Sequence, residues 1–221
     1  MTRRNIFITG GTGYLGRPLI QRLVSRGHIV RALVRPGSEQ KLPAGCAAVT
    51  GDALKKDSFA QHVAPSDTFI QLVGVPHPSP AKAQQFREID LVSALASIAA
   101  AKQADVQHFI YLSVAQPAPM MKAYQAVRAE AEAALRATGM NATVLRPWYI
   151  LGPGHWWPYA LVPFYKLCER IPAARDGALR LGLVTLRQMV AAMVRAVEQP
   201  AAGVTLVTVP TIREAGGLRT D

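Results

Sequence analysis

Cysteine is almost missing from this chain. Cys46 and Cys168 are the only two in 221 residues, far apart and without the close spacing of metal ligands. Neither a disulfide framework nor a zinc site is expected, and reduced thiols in a cytoplasmic setting are. Long apolar runs are missing as well: no window reaches about 18 uninterrupted apolar residues, so no membrane-spanning helix is expected. Met1 to Asn5 leads straight into a strand pattern and leaves no room for a signal peptide. Acidic residues are few, 14 against 25 Lys and Arg, for a net charge of +11. Such a surface attracts polyanions, including nucleic acid, acidic membranes and phosphorylated cofactors. The cations are spread along the chain, with no run of five or six and no helix-turn-helix, zinc-finger or aromatic RNA-binding signature. Nucleic acid is therefore not an expected partner.

What is abundant is glycine in one place. Ile6-Phe7-Ile8-Thr9 breaks into Gly10-Gly11-Thr12-Gly13-Tyr14-Leu15-Gly16 and then a helical pattern. Two spacings overlap: Gly11, Gly13 and Gly16 fit G-x-G-x-x-G, and Gly10, Gly13 and Gly16 fit G-x-x-G-x-x-G. A glycine-rich turn between strand and helix lets the backbone approach a phosphate and aims the free N–H groups of the next helix at it.

Apolar periodicity then alternates between strand and helix. Strands are predicted at Asn5–Thr9, His28–Val34, Ala47–Thr50, Thr68–Val73, Gln107–Leu112 and Ala142–Leu145, with a last one at Val204–Val209. Helices are predicted from about Tyr14, near Leu54–Val63, and over Ala83–Lys102, Met121–Thr138 and Thr185–Val197. Gly74 to Pro80 holds three prolines and reads as an extended loop. The alternation predicts an α/β fold with a doubly wound parallel sheet, its core at residues 1–150. Residues 151–221 are expected to complete the same domain as a small, aromatic-rich, substrate-side subdomain. Trp148, Tyr149, Trp156, Trp157, Tyr159, Phe164 and Tyr165 crowd a chain otherwise poor in aromatics. Three readings stay open for them, weighed in this order: plain core, a lid over an apolar ligand, and a peripheral membrane contact followed by Lys166 and Arg170.

Two more places carry chemistry. Dinucleotide folds read the adenosine ribose about 20 residues past the glycines, with an acid for NAD and positive charge for NADP. Here that position is Arg35, with Ser38 beyond it, so NADP(H) is expected over NAD(H). The other place is Ser113 after the fifth strand, then Tyr124 and Arg128, four apart on one helix face, and Glu132. A phenol beside a cation suits proton transfer to a carbonyl.

On these residues the chain resembles the short-chain dehydrogenase/reductase superfamily, in its atypical branch. The opening turn, Gly51-Asp52, Leu72-Val73-Gly74, the helix Tyr124-Gln-Ala-Val-Arg128-Ala-Glu-Ala-Glu132 and Val144-Leu145-Arg146-Pro147 all have counterparts there. Residues 5 to 150 resemble it well, nearest to NmrA-like regulators, the NAD(P)H-binding accessory subunit of respiratory complex I and the NAD-dependent epimerase/dehydratase type. The resemblance implies a Rossmann fold with the nucleotide held by Gly10, Thr12, Gly13, Tyr14, Leu15, Gly16, Asp52, Ala53, Leu72, Val73 and Gly74. It implies a catalytic set of Ser113, Tyr124 and Arg128, with arginine where the family has lysine. An oxidoreductase on an apolar carbonyl or quinone-like small molecule is expected; the alternative is an NADP(H)-binding sensor or structural protein without chemistry.

Overall fold

The computed structural model describes residues 2–154 and 157–216, with the side chains of Trp157 and Pro158 left aside. The reading of Trp156 and Trp157 as part of the aromatic cluster lies outside the described residues and side chains. Along the chain run β1 (Asn5–Thr9), α1 (Gly16–Ser25), β2 (Ile29–Val34), β3 (Cys46–Thr50), β4 (Thr68–Gln71), α2 (Ala83–Gln85), α3 (Val92–Gln103) and β5 (His108–Leu112). Then follow α4 (Lys122–Ala137), β6 (Ala142–Arg146), β7 (Tyr149–Leu151), α5 (Val162–Cys168), α6 (Pro172–Arg180), β8 (Leu183–Thr185), α7 (Leu186–Glu198), β9 (Val204–Thr208) and α8 (Val209–Ala215).

Seven strands form one parallel sheet in the order β3-β2-β1-β4-β5-β6-β9. Successive side chains of a strand face opposite sides, so each strand feeds two cores. Phe7, Phe69 and Phe109 lie in register across β1, β4 and β5, with neighbouring ring centroids 5.3 and 5.2 Å apart. Phe86, Ile98, Val127 and Leu135 from the helices cover that face. Ile8, Ile70 and Ile110 make the matching row on the other side, under Leu19 and Leu23 of α1, Met193 and Val197 of α7, and Ile212 of α8. The sheet is therefore the expected doubly wound one. Its strand order reverses between β1 and β4, which opens a crevice at their carboxyl ends.

Two elements differ from the sequence pattern. No α-helix forms over Leu54–Val63; the chain makes only 3₁₀ turns at Lys56–Ser58 and Ala60–His62. Ser58 explains this, because its hydroxyl bonds the carbonyls of Asp52 and Lys55 and accepts from the Asp52 amide. Such local side-chain bonds compete with the helical ladder. The predicted helix from Ala83 is present but widens into a π-helical segment, Phe86–Leu91, between α2 and α3. Widened turns of this kind insert a residue and re-aim its neighbours; here Asp90 ends up fully buried.

After β6 the chain leaves the main sheet. β7 and β8 pair in parallel as a small second sheet, with α5 and α6 between them. Thr185 and Gln188 form a reciprocal capping box that starts α7, and β9 returns to pair with β6.

Candidate functional site

The glycine turn is shaped by what surrounds it. Gly10 sits at φ +79°, in the left-handed region, and a Cβ there would come within 2.8 Å of the Leu72 carbonyl carbon. A Cβ on Gly16 would collide with the Gly10 and Gly11 carbonyls. The Gly13 amide donates to the Gly10 carbonyl at 3.1 Å and the Arg17 amide to Gly13 at 3.2 Å, which starts α1. Only glycine lets strand end, turn and helix pack this closely. The resulting cradle, open at a helix N-terminus, fits the pyrophosphate of a dinucleotide.

A cavity of about 390 Å³ lies against this turn, lined by Gly10, Thr12, Gly13, Arg35, Asp52, Ala53, Leu72, Val73 and Gly74. Nine of the positions read from the sequence thus meet at one wall system. Leu33, Val34, Gly51, Leu54, Val75, Pro76 and Ile89 line it too. Strand ends and the proline loop signalled most of these, whereas Ile89 needed the π-helical segment. The other four predicted positions are placed differently. Leu15 is buried in the α1 core, and Gly16 packs the helix on the turn. The Tyr14 hydroxyl lies against Gly152, and burial, then Tyr159, raises its pKa. Ser38 closes a turn through its amide to the Arg35 carbonyl and is not at the cavity wall. Glu39, the nearest acid to Arg35 in sequence, accepts from the Gly37 amide at 3.3 Å and the Thr50 hydroxyl at 3.4 Å. A second, larger groove of about 870 Å³ between α1 and α7 shares no residue with this cavity.

The helix α4 carries a polar stripe on its buried side, and each member ties down a different loop. Gln125 bonds the Ala118 amide at 2.8 Å and carbonyl at 3.0 Å. Glu132 accepts from Ser113 Oγ at 2.6 Å, Gln116 Nε2 at 3.0 Å and Arg146 Nε at 3.0 Å. Arg128, 4 % exposed, donates to Asp90 Oδ1 at 2.5 Å and the Leu112 carbonyl at 2.8 Å, and lies over the rings of Tyr124 and Tyr111. Asp90 Oδ2 in turn accepts from the Val75 amide at 2.9 Å. Gly74 makes room for this pair, since a Cβ there would sit 2.6 Å from Arg128 Nη2. Burial raises the Asp90 pKa while Arg128 and the Val75 amide oppose it. Burial alone would favour proton loss from Arg128; Tyr124, Tyr111 and Asp90 outweigh it, so its pKa is raised and it remains a cation.

Of the three predicted catalytic side chains, Ser113 therefore spends its hydroxyl and Arg128 both of its Nη atoms on internal partners, while Arg128 Nε is buried without a hydrogen bond among the described residues. Tyr124 packs its ring on Phe86, centroids 4.9 Å apart, and its hydroxyl has no hydrogen bond among the described residues. Phe86 belongs to the same π-helical segment as Ile89, which lines the cavity; Tyr124 itself is not among the lining residues.

A profile of the NAD(P)H-binding family matches residues 10–154. The chain is 30% identical over 168 residues, 66% of its length, to a 4-hydroxy-2-methyl-3-oxo-4-farnesyl-3,4-dihydroquinoline-1-oxide ketoreductase of Stigmatella aurantiaca, spanning 50% of that protein. It is 27% identical over 215 residues, 96% of its length, to a ceramide reductase of Caulobacter vibrioides (strain NA1000 / CB15N), spanning 66% of it. Its fold is similar to the Bordetella bronchiseptica enzyme WbmH in complex with NAD+, with TM-score 0.70, 19% identity, and coverage of 96% of this chain and 79% of that one. The cradle, the cavity at the strand reversal and the family match agree: the chain belongs to the NAD(P)H-binding family, as a pyridine-nucleotide-binding Rossmann protein of the atypical short-chain dehydrogenase/reductase type.

Proposed function

We propose that this chain is an NADP(H)-dependent reductase of an apolar carbonyl compound, working in the cytoplasm, with Tyr124 as proton donor. The observation that carries the reading is the Tyr124 hydroxyl, which makes no hydrogen bond among the described residues while the Ser113 hydroxyl is held by Glu132. Gly10, Thr12, Gly13, Asp52 and Gly74 would hold the nucleotide, and Arg35 would pair with its 2′-phosphate. A reduced nicotinamide held there would supply the hydride for the carbonyl carbon. Tyr124 supplies the proton to the carbonyl oxygen, so the product is an alcohol. Arg128, 5.0 Å from the Tyr124 ring, offers positive charge as that proton leaves. Ser113 takes no part, because Glu132 already holds its hydroxyl. The similar ketoreductase and ceramide reductase support an apolar, lipid-like substrate class.

The test is a side-by-side titration with NADPH and NADH, followed by NADPH consumption over a panel of apolar ketones and quinones. A charged contact of about 1.5–3 kcal/mol predicts roughly 10- to 150-fold preference for NADPH, lost in Arg35→Glu. General acid catalysis is worth about 10²–10⁴ in rate, so Tyr124→Phe should lower kcat by that factor without weakening nucleotide binding. Equal binding of the two nucleotides refutes the Arg35 assignment, and turnover unchanged in Tyr124→Phe refutes the mechanism. A second reading, a nucleotide-binding protein without chemistry, is favoured by the internal commitment of Arg128 and Ser113. Tight NADPH retention with no turnover across the panel would select it.

A further inference from the structure

We propose that the outer face of α5 and the turn after it form a docking surface for an anionic lipid bilayer. Phe164 and Leu167, three apart on α5, and Ile171 in the turn after it are 61%, 59% and 45% exposed. Single exposed apolar residues are ordinary, but a contiguous stripe rimmed by cations marks an interaction site. The opposite side of α5 is anchored: Tyr165 is half-buried and hydrogen-bonded to the Trp148 side chain, which fixes which face looks outward.

Charge selects the partner. From Tyr159 to Arg187 the chain carries Lys166, Arg170, Arg175, Arg180 and Arg187 against Glu169 and Asp176. Glu169 is already paired with Arg213 at 2.7 Å, so it does little to offset the exposed Lys166, Arg170 and Arg175. Apolar side chains amid basic ones complement an acyl layer under acidic headgroups. A nucleic acid would instead need a row of exposed aromatic faces for its bases, and two of these three residues are aliphatic. No helix among the described residues is long and apolar enough to cross a membrane, so the contact is peripheral. The segment also leaves the carboxyl edge of β6, the edge on which the nucleotide cavity opens, which would bring the cavity to the membrane surface. This surface stands independently of the reductase reading.

The experiment is flotation of the full chain with phosphatidylcholine vesicles, with and without phosphatidylglycerol, at low and high salt. Binding is expected only to the anionic vesicles and should weaken with salt. Phe164→Glu with Leu167→Glu should abolish it. Lys166→Gln with Arg170→Gln should weaken it about thirtyfold, from roughly fivefold per cation near the surface. These side chains are exposed, and circular dichroism of each variant confirms that it folds. No flotation, equal flotation with neutral vesicles, or wild-type flotation of either double variant overturns the proposal. So does light scattering that shows a dimer dissolved by Phe164→Glu with Leu167→Glu, or a single-stranded oligonucleotide bound through the same residues.

Discussion

Replacing Asp90 by asparagine should test how α4 holds the nucleotide cavity together. In the wild type Asp90 is fully buried and Arg128 is 4 % exposed, so the pair has little contact with water. Asparagine keeps the shape and can still accept from the Val75 amide, but it leaves the guanidinium without its counter-charge. Breaking a buried ion pair from one side costs about 3–5 kcal/mol, because the remaining charge stays desolvated. Against a typical total of about 5–15 kcal/mol, that is a large share of the stability. Arg128→Met should cost a similar amount, bounded by the ease with which the raised pKa lets Asp90 take up a proton. Asp90→Leu with Arg128→Met removes both charges, and an apolar pair in such a place is often neutral or stabilising. The assay is urea unfolding at neutral pH on the wild type and the three variants, each with and without saturating NADPH. Strong coupling is expected: two costly single variants and a double variant within about 1 kcal/mol of wild type. Additive effects, or single costs below about 1 kcal/mol, would refute the clamp. NADPH should stabilise the double variant nearly as much as the wild type, since the pair sits behind Gly74. A large loss of that ligand stabilisation would mean that Arg128 reaches the nucleotide directly.

Other perturbations follow from single sites. His108 is buried, and burial, then Arg4, lowers its pKa from 6.5 to about 4, with Asp67 opposing. The unfolded chain then binds the proton that the folded chain refuses, so this contribution is complete above about pH 6.5 and lost as pH falls toward 4. Urea unfolding should show up to about 3 kcal/mol of acid destabilisation from this residue, and His108→Gln should flatten that slope. Thr185→Ala removes the capping box of α7 and should cost about 1 kcal/mol in the same assay, while Thr185→Ser should recover most of it. Gly10→Ala meets both the left-handed backbone and the Leu72 carbonyl; calorimetry should find nucleotide binding lost, and unimpaired binding would mean the turn is not the cradle.

Much of this protein is local in origin and was readable residue by residue. The glycine turn and the alternation of strand and helix depend on neighbours within a few positions, where backbone sterics and a two-residue or 3.6-residue period decide the outcome. The place of Arg35 at the cavity wall was readable as well, from its position at the end of the second strand about 20 residues past the glycines. The same local rules misjudged Leu54–Val63, where one hydroxyl, that of Ser58, outbid a helix. Tertiary structure decided what the α4 side chains do. Tyr124, Arg128 and Glu132 share a helix face by spacing, but Arg128 finds Asp90 38 residues earlier and Glu132 finds Ser113 19 residues earlier. No period in the sequence encodes those meetings. They arise because burial forces each charged group to take whatever partner the folded chain brings within reach, and the π-helical turn at Phe86–Leu91 brings Asp90.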